Sequence, residues 1–178
     1  MTLKYKIKFF DYWHLSSGLS SGAKLDSTVV KDKENIPYVP AKTIKGLVKQ
    51  TAELLYANDD FIKHCFGVQG KDMGKCYFAN ANLDKTTKDE IVFNNLQDNL
   101  YDVIASTKIG ENGIAIDNSL REIEVVVPLT LEGEILDIES NEDKEKLINA
   151  MKLIKRVGLN RNRGLGRCEF MDFESEVK

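Results

Sequence analysis

Cysteine is scarce in this chain. Cys65, Cys76 and Cys168 are three in 178 residues, an odd number with no CxxC spacing. Neither a disulfide framework nor a structural zinc site is expected on that pattern. Histidine is scarcer still: His64 stands beside Cys65, but no second His/Cys pair exists to complete a tetrahedron. No apolar run approaches membrane-spanning length, so no membrane partner is expected. Lys4, Lys6 and Lys8 interrupt what would be the apolar region of a leader. A soluble cytoplasmic protein is the expectation. Internal repeats and low-complexity tracts are missing too.

What is present is enough apolar material for one compact domain over residues 1–178, since 42% of the chain is hydrophobic. The net charge of −3 argues mildly against nucleic acid, but its distribution matters more than its sum. From Lys152 to Arg167 there are six cations and no acid; from Lys24 to Lys49 there are six lysines against three acids. The acids gather elsewhere, notably in Glu132 to Glu145. Two basic segments in an acidic chain imply one binding face and an outside that tolerates protein neighbours.

Periodicity gives the order of elements. Residues 3–10 alternate, with Leu3, Tyr5, Ile7 and Phe9 on one face and the lysines on the other, as in a half-buried strand. A Gly/Ser-rich loop follows at 13–24, then an extended stretch from Leu25 to Lys31, a turn at Asp32 to Asn35, and Ile36-Pro37-Tyr38-Val39-Pro40, extended because each proline biases its predecessor away from helix. Pro40 and Thr43 are start signals for a helix whose core face is Ile44, Leu47, Val48, Thr51, Leu54 and Leu55. Lys42, Lys45 and Lys49 form a second stripe at i, i+3, i+7. Gly46 inside this helix costs about 1 kcal/mol against Ala, a sign of a close backbone neighbour or of helix–sheet packing. A helical turn over 58–66 closes at Gly67, and Cys76 to Leu83 reads as a strand. Residues 84–119 have no long period and read as a loosely packed insertion. Glu122 to Ile135 alternates as one strand, with Pro128 marking an edge or bulge; Glu142 to Val157 is a helix with Gly158 as its C′ residue; Arg167 to Phe173 is the last strand.

Strand, helix, strand, strand, helix, strand is the α+β, ferredoxin-like (RRM-like) βαββαβ order, carrying insertions at about 11–40 and 84–119. In this topology both basic segments are expected to reach one side of the sheet. The second of them holds the loop Gly158-Leu159-Asn160-Arg161-Asn162-Arg163-Gly164-Leu165-Gly166-Arg167. Three glycines allow positive φ and close approach by another chain, and the arginines supply fixed charge, which together suit a phosphate backbone.

These pieces, in this order, resemble the RAMP superfamily of CRISPR-associated RNA-binding proteins, and within it the repeated backbone subunit of type III effector complexes. The likeness is carried by His14 to Gly22, by Leu25 to Asp32, by Ile36-Pro37-Tyr38-Val39-Pro40-Ala41-Lys42-Thr43-Ile44-Lys45-Gly46-Leu47, by Phe66-Gly67, by a small thumb-like stretch from Ile109 to Glu124, and by the final Gly/Arg loop. It departs from the family pattern at Ala41-Lys42, where Gly-Ser is usual, and at Glu111-Asn112-Gly113, where the thumb usually has Asp-Arg. The resemblance implies guide-RNA contacts at His14, Lys31, Lys42, Thr43, Lys45, Lys49, Arg161, Arg163, Gly164, Gly166 and Arg167. It implies that Asp26 is the catalytic and metal-holding residue, cutting complementary target RNA with Mg2+ or another divalent cation. The partners implied are guide RNA, target RNA, other effector-complex subunits and copies of the chain itself. Asp32 is the next candidate for the metal, although a turn role suits it. Two alternatives stay open: metal-independent processing of precursor guide RNA, with His14 as general base and Tyr12 beside it, and a non-catalytic scaffold subunit.

Overall fold

The structure is a computed structural model and describes residues 1–18, 25–57, 59–68 and 70–176; Asn58 and residues 19–24 of the Gly/Ser loop lie outside that set. Strand β1 (Thr2–Phe9) runs through the middle of a four-stranded antiparallel sheet. It pairs on one side with β7 (Thr130–Leu136) and on the other with β8 (Cys168–Glu176). The short β4 (Tyr77–Phe78) closes the β7 edge, giving the order β4-β7-β1-β8. This is the split βαβ arrangement that the element order predicts.

Alternation in β1 sets the layers. Leu3, Tyr5, Ile7 and Phe9 are buried beneath the helices, while Lys4, Lys6 and Lys8 stand on the opposite, open face. Helix α1 (Ala41–Leu55) lays Ile44, Val48 and Ala52 on the core, one residue per turn on one face. Burying side chains such as Ile44 and Val48 stabilises by roughly 1.5–3 kcal/mol each, which more than offsets the cost of Gly46. Pro40 is the N-cap and offers no side-chain acceptor; instead Asn80 Oδ1 accepts from the Ala41 amide at 2.8 Å. Thr43 therefore lies in the first turn and does not cap it. Helix α2 (Asp60–Phe66) is capped by Asp59 and ends at Gly67, with φ +80. The tiny strands β2 (Gly67–Val68) and β3 (Asp72–Met73) form a hairpin beside α1.

The structure revises three expected boundaries. The stretch from Glu122 to Ile135 is two strands, not one: β6 (Arg121–Val126) leaves the main sheet to pair with β5 (Tyr101–Ser106), and the chain bends through Val127-Pro128-Leu129 before β7. A proline donates no ladder hydrogen bond, so the break falls there. The insertion before it is more regular than expected, with α3 (Lys85–Phe93) and a 3-10 turn (Gln97–Leu100), but α3 buries no residue. The last helix, α4 (Asn141–Lys152), is capped by Ser140 and stops at Lys152, so Gly158 is not its C′ residue. Leu147, Ala150 and Met151 bring α4 against the core beside α1.

Asp32 makes the predicted turn. Its Oδ1 accepts from the amides of Glu34 (2.8 Å) and Ile36 (3.0 Å), and its Oδ2 from Lys88 of α3 (2.7 Å). Burial works against its ionisation, but Lys88 and the two amides outweigh that and hold the carboxyl below its ordinary value. A depressed carboxyl stabilises the fold above the unfolded value, about 4, and that contribution is lost as pH falls through the folded one. Acid unfolding should therefore steepen below about pH 4. In Asp32→Asn, urea midpoints measured across that window should fall less steeply; parallel curves would remove this pair from the account.

Candidate nucleic-acid interface

The segment holding Asp26 is stitched to the base of the β5–β6 hairpin. The Asp26 amide donates to Glu122 O (2.9 Å), and Asp26 Oδ2 accepts from the Glu122 amide (2.8 Å). Ser27 bridges Ile123, and Val29 bridges Ser16. Asp26 itself is exposed, and its second carboxylate oxygen has no partner among the described residues. No group of three His, Cys, Asp or Glu side chains suited to a metal gathers among those residues. The donor set fits a magnesium-like ion, which keeps its waters and takes one or two carboxylates plus phosphate oxygens from the substrate.

Glu124 organises this segment, and sequence reasoning missed it. Alternation puts it on the solvent side of a strand, yet it is 8% exposed. Its Oε2 accepts from the Val29 amide (2.9 Å), its Oε1 pairs with Lys31 Nζ (2.7 Å), and its carbonyl accepts from His14 Nδ1 (2.6 Å). Because β6 is outside the main sheet, residues 27–31 cover the face that alternation would leave wet. A glutamate flanked by Ile123 and Val125 carries no sequence signal of this.

Two expected RNA contacts change as a result. His14 is fully buried, with Nδ1 on Glu124 and Nε2 3.1 Å from Ser27 Oγ. It ties the Asp26 segment to β6, with both ring nitrogens engaged inside the protein. Lys31 is engaged by Glu124 and sits 3.8 Å over the Tyr101 ring. Tyr12, by contrast, is exposed, and its hydroxyl donates to Asp102 (3.0 Å), a hydrogen bond that raises its pKa.

The lysine stripe is intact. Lys42 and Lys45 have no carboxylate partner among the described residues, and Lys49 reaches only Glu53, at 3.8 Å. The groove between α1 and the β2–β3 hairpin is lined by Lys45, Lys49 and Met73. Gly46 lies on the exposed side of α1, one turn from Lys42 and from Lys49, and a Cβ built there would meet nothing within 4 Å. No backbone among the described residues approaches it, and no described strand packs on it, so neither intramolecular reason for that glycine holds among them.

The arginine loop is pinned to the residues after β1. Leu159 N donates to His14 O (2.9 Å), Gly166 N to Tyr12 O (2.7 Å), and Val157 N to Gly166 O (2.8 Å). Gly158 (φ +100) and Gly166 (φ +71) permit this, since a Cβ would fall 2.3 Å from His14 O and 1.9 Å from Val157 O. The close approach expected at these glycines is thus by the protein's own backbone. Arg167 is not unneutralised in space: its guanidinium pairs with Asp11 (3.1 and 3.3 Å) and lies over Phe10. Arg161 and Arg163 remain exposed without a carboxylate partner among the described residues, beside Gly164 at φ +90.

The stripe and the loop do not share one groove. Helix α1 packs by β4, one edge of the sheet, while the loop leads into β8, the other. The two basic segments thus form two stations, one toward each edge of the sheet.

A family model described as the RAMP superfamily matches residues 6–169. Among solved structures, a chain of the cryo-EM structure of type III-B Cmr-beta bound to cognate target RNA is 12% identical, with 96% of each chain covered and a TM-score of 0.76. A chain of the apo state of type III-B Cmr-beta is 13% identical over the same shares, with a TM-score of 0.72. Likeness at that identity speaks for the fold. Among curated proteins none matches. No helix among the described residues is long and apolar enough to cross a membrane.

Proposed function

This chain belongs to the RAMP superfamily, and on that premise we propose that it is a guide-RNA-binding backbone subunit of a type III-like CRISPR effector complex, one that also cuts bound target RNA through a metal-assisted Asp26. The observation that carries the reading is the face Lys42, Lys45, Gly46, Lys49. Lysines stand one turn before and one turn after a helix glycine that no contact among the described residues requires, and the groove beside Lys45 and Lys49 is open. A phosphate backbone fits such a face, since the bare Cα admits it and the ammonium groups neutralise it. The contacts position the strand without reading bases, so guide sequence would not matter. The strand continues over Arg161, Arg163 and Gly164.

Five phosphate contacts (Lys42, Lys45, Lys49, Arg161, Arg163) predict a log–log salt slope near about −3.5, at about −0.7 per contact on single strands. A slope near about −2 would confine binding to the lysine stripe, and one near zero, or a strong base preference, would overturn the reading. Gly46→Ala gives an opposed pair of results: the free chain should gain up to about 1 kcal/mol, while RNA affinity falls. If affinity is unchanged, RNA does not pass over Gly46.

A divalent ion held there would supply charge stabilisation at the scissile phosphate and a more acidic 2′-hydroxyl. Asp26 would hold it, with Glu122 fixing the carboxylate and Glu124 and His14 fixing the segment. Burial of His14 weighs against the metal-independent processing reading, because an acid–base imidazole must reach its substrate. A scaffold without activity shares every RNA contact and differs only in lacking cleavage.

A further inference from the structure

Arg167 takes no phosphate in that reading, because Asp11 already pairs with its guanidinium (3.1 and 3.3 Å). Its charge is spoken for, but its plane can still stack. The guanidinium lies over the Phe10 ring, 5.4 Å from the centroid, and Lys8 Nζ stands 5.5 Å from the same centroid. Strand pairing puts these groups together. Phe10 N donates to Arg167 O (2.9 Å), so β1 and β8 stay paired one step past the Phe9–Cys168 register. Phe9 and Cys168 both turn into the core. Alternation then sets Phe10 and Arg167 on the open face of the sheet, with the facing pair Lys8 and Glu169. Arg156 bridges Arg167 on the outer side and shares that face.

A hollow of about 380 Å³ opens at this corner, lined by Phe10, Lys155, Arg156, Arg167 and Glu169. That is within the range of small-ligand sites, about 300–1,000 Å³. Phe10 is 38% exposed in it. Lys155 and Arg156 are exposed and have no carboxylate partner among the described residues, so the rim is positive. Arg156 also donates to Arg161 O, which joins the hollow to the arginine loop. Farther along the same face Glu132, Glu134, Asp172 and Glu174 outnumber Lys4 and Lys6. An anionic strand is therefore favoured at the β8 corner and repelled beyond it.

We propose that Phe10 and Arg167 form a stacking station for one nucleobase of the bound strand. The proposal rests on the RNA reading and says what this corner takes from the strand: the flat, uncharged part. Unstacked bases of single-stranded RNA stack on aromatic rings and on guanidinium planes, and RRM sheets present such rings on this same face. Every base has a π face, so the station leaves the guide sequence free.

The test measures the affinity of the full chain for two labelled single-stranded RNAs of equal length, one complete and one built of stable abasic nucleotides. The parent should prefer the complete strand by about fivefold to about 150-fold, the worth of one stacked base. Phe10→Leu keeps an apolar side chain without a π face; it should remove most of that preference and leave the abasic strand's affinity as it was. Arg167→Lys keeps a charge for Asp11 but loses the plane, and should act in the same direction. Lys45→Glu should weaken both strands alike, since it touches phosphate only. Equal affinity of the parent for the two strands, or a preference in Phe10→Leu as large as the parent's, would overturn the stacking station and leave the phosphate contacts standing. A parent that binds neither strand would overturn both readings.

Discussion

Asp26→Asn should abolish cutting of guide-paired RNA by the assembled complex and leave its RNA affinity unchanged. A carboxylate-held divalent ion contributes several kcal/mol to a phosphoryl-transfer transition state, so the loss should be at least about a hundredfold. Asparagine is the right replacement because its side-chain oxygen can still accept from the Glu122 amide, at 2.8 Å in the parent. Segment 26–31 then stays where Glu124 and His14 hold it, and a loss of activity reports on charge and metal rather than on folding. Single-turnover cleavage of a labelled target, with magnesium present or chelated, gives the answer. Cutting that survives the substitution moves the chemistry to another residue. A parent complex that does not cut at all makes the chain a scaffold, with its RNA contacts intact.

Gly166→Ala should lower stability by about 3 kcal/mol, near the upper end for a single substitution. Two costs combine. At φ +71 an alanine is strained, typically by about 1 kcal/mol or more. Its Cβ would also stand 1.9 Å from the Val157 carbonyl oxygen, so the backbone has to move. Movement loosens the Val157–Gly166 and Gly166–Tyr12 hydrogen bonds together, and with them the joint between the arginine loop and the end of β1. Gly164→Ala is the control. It carries the strained φ of +90, but nothing lies within 4 Å of its Cβ, so it should cost about 1 kcal/mol. Urea unfolding of both variants gives the comparison; equal losses would mean that the contact with Val157 yields cheaply.

The arginine loop illustrates how far residues alone can be read. Its glycines and arginines announce a special backbone and a charged surface, and both are there. Which arginines are free depends on residues more than a hundred positions away. Arg167 meets Asp11 only because β8 enters the sheet beside the end of β1. His14 is the same lesson reversed. Beside Gly/Ser residues it looks like a ligand-facing histidine, and it is sealed by β6 because that strand left the main sheet.

Sequence by itself determined the βαββαβ order, Ile44 and Val48 as core residues of α1 (Leu54 and Leu55, expected beside them, are exposed, and Ala52 is buried instead), the lysine stripe with its unexplained glycine, and the turn at Asp32. Each follows from spacing along one element, where covalent geometry fixes which side chains are neighbours. Tertiary structure alone decided that the lysine stripe lies toward the β4 edge and the arginine loop toward the β8 edge, that Glu124 is buried, and that Arg167 is paired with Asp11. Those depend on which strand pairs with which, and pairing is a property of the whole sheet that no single segment carries.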